Sequence, residues 1–192
     1  MPLPPSSASR RKRHTRTITL DGYQRDDGKW EIEGAVTDVK TFHAKNRFID
    51  RQPGEHHHHM EVRLVVDLKG IVHDVEVVSD ANPHGETCRK GVPDYKRLIG
   101  LNLKRGFRKG VKDRMGGVNG CTHINELLGI MPTAFFQSIA GTVETTEDEE
   151  RMSMVFDTCT SWDRSGPRVR EHYPRWYIAE RKNVAGKGTE SQ

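Results

Sequence analysis

Residues 60–78 read MEVRLVVDLKGIVHDVEVV, and their alternation decides the fold class. Met60, Val62, Leu64 and Val66 alternate with Glu61, Arg63 and Asp67, and only Val65 breaks the polar row. A two-residue period puts one row against a core and the other in solvent, which is a half-buried strand. Leu68-Lys69-Gly70 makes the turn, and 71–78 returns as a second strand in which Ile71, Val75 and Val77 share a face with His73. On that apolar face His73 reads as a core histidine. Upstream, 15–20 and 30–39 are strand-like and joined by a polar turn with Asp26, Asp27 and Gly28, a further hairpin. A loop rich in Pro, Gly and His is expected at 52–59. Downstream the period changes: Ile124, Leu127, Leu128, Met131 and Phe135 mark one face of an amphipathic helix, which Pro132 is expected to kink or divide. Short helices are expected over 94–100, behind Pro93, and over 107–115, with Cys88 in a loop before them. Strands first and helices after predict an α+β domain, an antiparallel sheet built from hairpins with helices packed on one face.

The 192 residues suit a single domain with tails. Residues 1–13 carry Arg10, Arg11, Lys12 and Arg13 among prolines and serines and read as a disordered basic arm. The folded domain is expected over 14–180, with an exposed acidic loop at 144–150 and a disordered tail at 181–192. No apolar run approaches the roughly 18 residues of a membrane span, so no membrane partner is expected. Three cysteines make no closed disulfide framework, which points to a reducing, cytoplasmic setting. A net charge of +4 is too mild to require nucleic acid, and no aromatic residues interleave the basic arm.

Ten histidines and three cysteines are where the chemistry concentrates. Cys121 follows a Gly-rich turn at a helix start, where free amide groups favour a thiolate. His123 stands two positions on, a poor spacing for a Cys–His dyad on a regular helix but adequate for chelation where the first residue is not yet helical. Cys88, Cys159 and the run His56–His59, chiefly His58 and His59, offer further donors of the types a tetrahedral site uses. The rival reading is packing for the cysteines and a solvated loop for the histidines. Glu126, one turn after Thr122 and His123, is a candidate general base, a second partner for His123, or a stabiliser of the first helical turn. His14 and Tyr23 are candidates for lining a pocket. The run 170–177 is aromatic and basic, either an anion or aromatic-ligand rim or a last strand on the sheet.

Gly117-Val118-Asn119-Gly120-Cys121-Thr122-His123 with Glu126-Leu127-Leu128 resembles the signature of the bacterial domain of unknown function 2889. Gly22-Tyr23, the stretch 27–34 (DGKWEIEG), His58-His59-Met60, the loop 80–88, Leu98-Ile99-Gly100 and Cys159 before Ser165-Gly166-Pro167 occur in the same order, so that the resemblance spans about 10–177. It implies a shared fold and site near aromatic-compound or acyl-CoA catabolism, and no established activity. The order hairpin, cysteine loop, short helix, cysteine at a helix start is also similar to NifU-like iron–sulfur scaffolds and to the cysteine-rich C-terminal domain of cobalamin-dependent ribonucleotide reductases. That likeness selects His58 or His59, Cys88, and Cys121 with His123. A histidine in place of the scaffolds' first cysteine disfavours a cluster and favours a single zinc or iron.

Four functions follow. The first is a Zn- or Fe-dependent enzyme acting on a small anionic, aromatic or acyl metabolite. The second is a non-catalytic metal or iron–sulfur accessory protein that hands metal to a partner protein. The third is a metal-free thiol enzyme using Cys121. The fourth, nucleic-acid binding through the basic arm, is disfavoured.

Overall fold

The computed structural model describes residues 3–90, 92–141 and 155–179. The chain divides into two compact units, Met1–Val143 and Glu144–Gln192. The acidic stretch 144–150 and the tail 181–192 lie outside the described residues.

The first unit is built on four long strands, β1 (His14–Gln24), β2 (Trp30–Lys40), β5 (His56–Val66) and β6 (Val72–Ala81), in the antiparallel order β1-β2-β5-β6. A short ribbon of β3 (Ala44–Lys45) and β4 (Asp50–Arg51) joins β2 to β5. Helix α1 (Glu86–Arg89), a 3₁₀ segment (Val92–Leu98), α2 (Phe107–Met115) and α3 (Thr122–Ile139) follow. This is the α+β arrangement that the periodicities predict. The short helix expected over 94–100 is a 3₁₀ helix over Val92–Leu98, and Cys88 sits in the single turn of α1 rather than in a loop.

One face of the sheet carries the core. Trp30, Ile32 and Val36 of β2 stand beside Met60, Val62, Leu64 and Val66 of β5, all buried. Ile124, Leu127, Leu128, Met131 and Phe135 of α3 meet them, joined by Phe107, Val111 and Met115 of α2. Each such side chain taken fully out of water contributes roughly 1.5–3 kcal/mol. The opposite face is polar, with Arg63 Nε donating to Glu33 at 2.7 Å.

Two glycines bring α3 down onto the strands. A Cβ on Gly34 would stand 3.0 Å from Leu127 and 2.9 Å from Leu20, and one on Gly22 would stand 1.8 Å from Ser138 Oγ. Position 34 therefore lies under the first half of α3 and position 22 under its last turn. This fixes the helix N-terminus at the Asp38 end of β2.

Three local expectations are corrected. His56 to His59 are the first residues of β5 and not a loop, and the register slip beside Asp38 leaves His57 as an extra residue that interrupts their alternation. His73 is no core histidine: the β5–β6 register slips between Val65 and Val66, the extra residue inverts the alternation, and His73 turns outward to meet Asp67 at 2.8 Å. Pro132 does not divide the helix, because α3 runs unbroken for 18 residues with Pro132 buried in its interface. Arg108 Nε donates to the Gly129 carbonyl at 2.6 Å, beside the Leu128 carbonyl that the proline leaves without its helical donor.

In the second unit a 3₁₀ turn (Thr160–Trp162), α4 (Pro167–His172) and another 3₁₀ turn (Pro174–Trp176) surround Phe156 and Val169. The run 170–177 is thus helical and not a strand. Pro167 opens α4 and Pro174 stops it. Trp162, Tyr173, Trp176 and Tyr177 pack on this small core. No helix among the described residues is long and apolar enough to cross a membrane.

Candidate functional site

The inward alternation of β2 runs Trp30, Ile32, Gly34, Val36 and ends on Asp38, a carboxylate on the core face. Register places Arg16 of β1 on one side of it and His58 of β5 on the other, so that Arg16, Asp38 and His58 form one cross-strand row. The next row inward is Ile18, Val36 and Met60. The polar row therefore closes the open end of the core, under the N-terminus of α3.

A buried carboxylate must be neutralised or hydrogen-bonded. The Asp38 side chain is only 5% exposed, and both its oxygens are saturated. Oδ1 accepts from His14 Nε2 at 2.7 Å and Arg16 Nε at 2.9 Å. Oδ2 accepts from a terminal guanidinium nitrogen of Arg16 and from His58 Nδ1, both at 2.9 Å. Burial alone would raise its pKa, but the Arg16 fork, His14 and His58 hold the carboxyl well below the usual range. Asp38 is an anion, and the hydrogen of the His58 contact is carried on Nδ1 of the imidazole.

The start of α3 supplies the rest. Cys121 is its N-cap, with extended φ −105° and ψ 131°. Because Cys121 is not helical, its Sγ turns back to within 3.8 Å of His123 Nδ1, the approach that the spacing permits where the first residue lies outside the helix. His123 Nε2 lies 3.9 Å from Asp38 Oδ2, and its ring stacks on His58 with centroids 3.8 Å apart. Burial pushes both imidazoles down in pKa, helped at His58 by the neighbouring His123 and at His123 by Arg16. Both are therefore neutral near pH 7, as a metal ligand or a base has to be.

The helix start is held from below by Tyr95. Its buried hydroxyl accepts from the Cys121 amide at 2.8 Å and donates to Asn125 Oδ1 at 2.9 Å, while Asn125 Nδ2 donates to the Met115 carbonyl at 2.6 Å. Burial pushes the Tyr95 phenol up to about 12.

Of the residues singled out in the sequence, His58 and His123 come together with Asp38. One ligand atom from each of these three lies within 4.8 Å of the others, and no other such group of three occurs among the described residues. Cys121 borders the group. Glu126 contacts Arg16, accepting at 2.7 Å, and no hydrogen bond joins it to His123 among the described residues. His59 faces the other side of the sheet, where its Nε2 meets Glu61 at 3.1 Å. Cys88 is half-buried in α1, outside the group, and Cys159 is exposed in the second unit. Asp38 and Arg16 escaped the sequence reading, although the β2 alternation pointed to a carboxylate on an apolar face.

Comparison with known proteins gives one family match: the model for the family described as "Protein of unknown function (DUF2889)" covers residues 14–137. That span holds every residue of the Asp38 site and ends before Cys159. No curated protein matches the chain, and no solved structure does.

Proposed function

The chain belongs to the family of proteins of unknown function DUF2889, and from its site we propose that Asp38, His58 and His123 bind one zinc or iron ion in a cytoplasmic enzyme of small-metabolite chemistry. The observation that carries this reading is the spacing of the donors. Two ligands about 2.0–2.1 Å from a tetrahedral ion stand about 3.4 Å apart. Asp38 Oδ2 is 2.9 Å from His58 Nδ1 and 3.9 Å from His123 Nε2, which bracket that separation. The metal would take the place of the hydrogen shared by Asp38 and His58, and that hydrogen would move to His58 Nε2. Two imidazoles and one carboxylate suit zinc or non-haem iron and leave positions for a substrate. A metal held there would supply Lewis acidity toward a substrate carbonyl or a bound water. Arg16, His14 and Glu126 would orient the carboxylate and the substrate around it. The free cysteines are consistent with a reducing compartment.

Calorimetric titration of Zn²⁺, or of Fe²⁺ without oxygen, into chelator-treated protein tests the reading. One ion per chain is expected at pH 7.5. Affinity should hold through pH 6.5 and fall only at more acid pH, below the lowered pKa values of His58 and His123, because a protonated imidazole cannot ligate. Absence of binding, or binding unaffected by His58→Ala, counts against it.

A second reading rests on a separate observation, the chain of contacts from Cys121 Sγ through His123 to Asp38. It makes Cys121 a nucleophile with His123 as its base. Metal-free protein that loses activity or ligand binding when Cys121 alone is alkylated would favour it.

A further inference from the structure

Beside the Asp38 row lies a group of cations without counter-charges. The β2–β5 register slips between Asp38 and Val39, so that His57 is an extra residue at the start of β5. His57 is 5% exposed, and its Nε2 has no hydrogen-bond partner among the described residues. A buried polar nitrogen left unpaired destabilises the fold, and a ligand atom that pairs with it removes that cost. Lys40 and Arg51 are the charges that bear most strongly on its ring, ahead of the Asp38 carboxylate. The Arg13 guanidinium lies 3.8 Å from the centroid of the Phe42 ring, and Lys40 Nζ lies 5.5 Å from the same centroid.

Among the described residues, none of Arg13, Lys40 and Arg51 has a carboxylate partner. The nearest acids along the chain are already engaged. Asp50 accepts from His43 and Lys45, and Glu55 accepts from the Gln52 amide. Lys40 follows Asp38 by two positions on the same face of β2, a rise of about 7 Å along the strand.

We infer that Lys40, Arg51 and Arg13, with His57 Nε2, form an oxyanion subsite that takes the carboxylate or phosphate group of a small substrate whose other end reaches Asp38, His58 and His123. The subsite specifies the substrate class of the proposed metal site and in that respect rests on that reading. Its cations stand one strand step from the metal ligands, the reach of a small molecule. Arg13 and Lys40 neighbour the Phe42 ring while Lys40 and Arg51 act on His57, a short array that fits a single charged group better than a polyanion, which needs a longer track.

Titration of the full chain with inorganic phosphate at low salt, with acetate as a second arm, tests the inference. Phosphate is expected to bind with a millimolar or tighter Kd that rises about tenfold or more in the Lys40→Ala/Arg51→Ala double variant. Arg63→Ala, on the opposite face and paired with Glu33, is expected to bind like the wild type. Acetate competing with phosphate assigns the subsite to carboxylates as well, and phosphate binding without competition assigns it to phosphates. His58→Ala separates the two claims, since it should lose metal and keep phosphate. The inference is overturned if the wild type binds neither anion, if the double variant binds phosphate unchanged, or if phosphate binding disappears with His58→Ala. Binding of heparin without phosphate would overturn it too, in favour of a polyanion surface.

Discussion

Asp38 sets the electrostatics of the site one residue at a time. Its carboxyl is held ionised by Arg16, His14 and His58, while burial keeps His58, His123 and His57 neutral. The signs agree. The three imidazoles have folded pKa values below their unfolded ones, so the unfolded chain takes up protons that the folded site refuses, and stability falls once the pH drops below about 6.5. Asp38 has a depressed folded pKa. Its contribution is complete above the ordinary carboxylate value near 3.9 and is lost as the pH falls further toward the folded one. Thermal melts of chelator-treated protein should show a falling Tm from pH 7 to 5 and a second fall below pH 4. A Tm that is flat from pH 7 to 5 would contradict the burial of the histidines. Asp38 was readable in principle, as the last inward position of an apolar alternation. Arg16 was harder to read: it follows Ile18 and Leu20 outward along β1, and an edge-strand arginine gains meaning only from the partner that register supplies.

At the scale of elements, the site exists because α3 starts where the β2 row ends. The helix itself was legible from its apolar period. Its continuity through Pro132 was not, because that depends on a buried interface and on a donor, Arg108, from another helix. The four histidines were misread as loop because Pro53 and Gly54 precede them and a bulge at His57 disrupts the alternation. The same physics hid the outward turn of His73. Tyr95 is the joint between elements, since one hydroxyl ties the 3₁₀ segment to the start of α3. Tyr95→Phe leaves the Cys121 amide and Asn125 Oδ1 short of a partner and should cost about 1–3 kcal/mol in denaturant unfolding. It should also weaken metal binding more than the like-sized loss from a core Val→Ala, because it frees the turn that carries His123. Equal metal affinity in the two variants would make Tyr95 purely structural.

At the scale of the molecule, the antiparallel sheet with helices on one face was legible from the order of two periodicities, strand then helix. The division into two units was not, although the acidic stretch 144–150, which reads as a loop inside one domain, begins at the boundary between the units. The family match spans the unit that carries the Asp38 site. The central claim is a single metal ion held by Asp38, His58 and His123. Elemental analysis of untagged protein, purified without oxygen, measures it most directly, with His58→Ala, His123→Ala and Cys159→Ala alongside. The account predicts about one zinc or iron per chain in the wild type and in Cys159→Ala, and a loss to background in both histidine variants. Folded wild-type protein that carries no metal and takes up none when offered zinc and ferrous iron would contradict it.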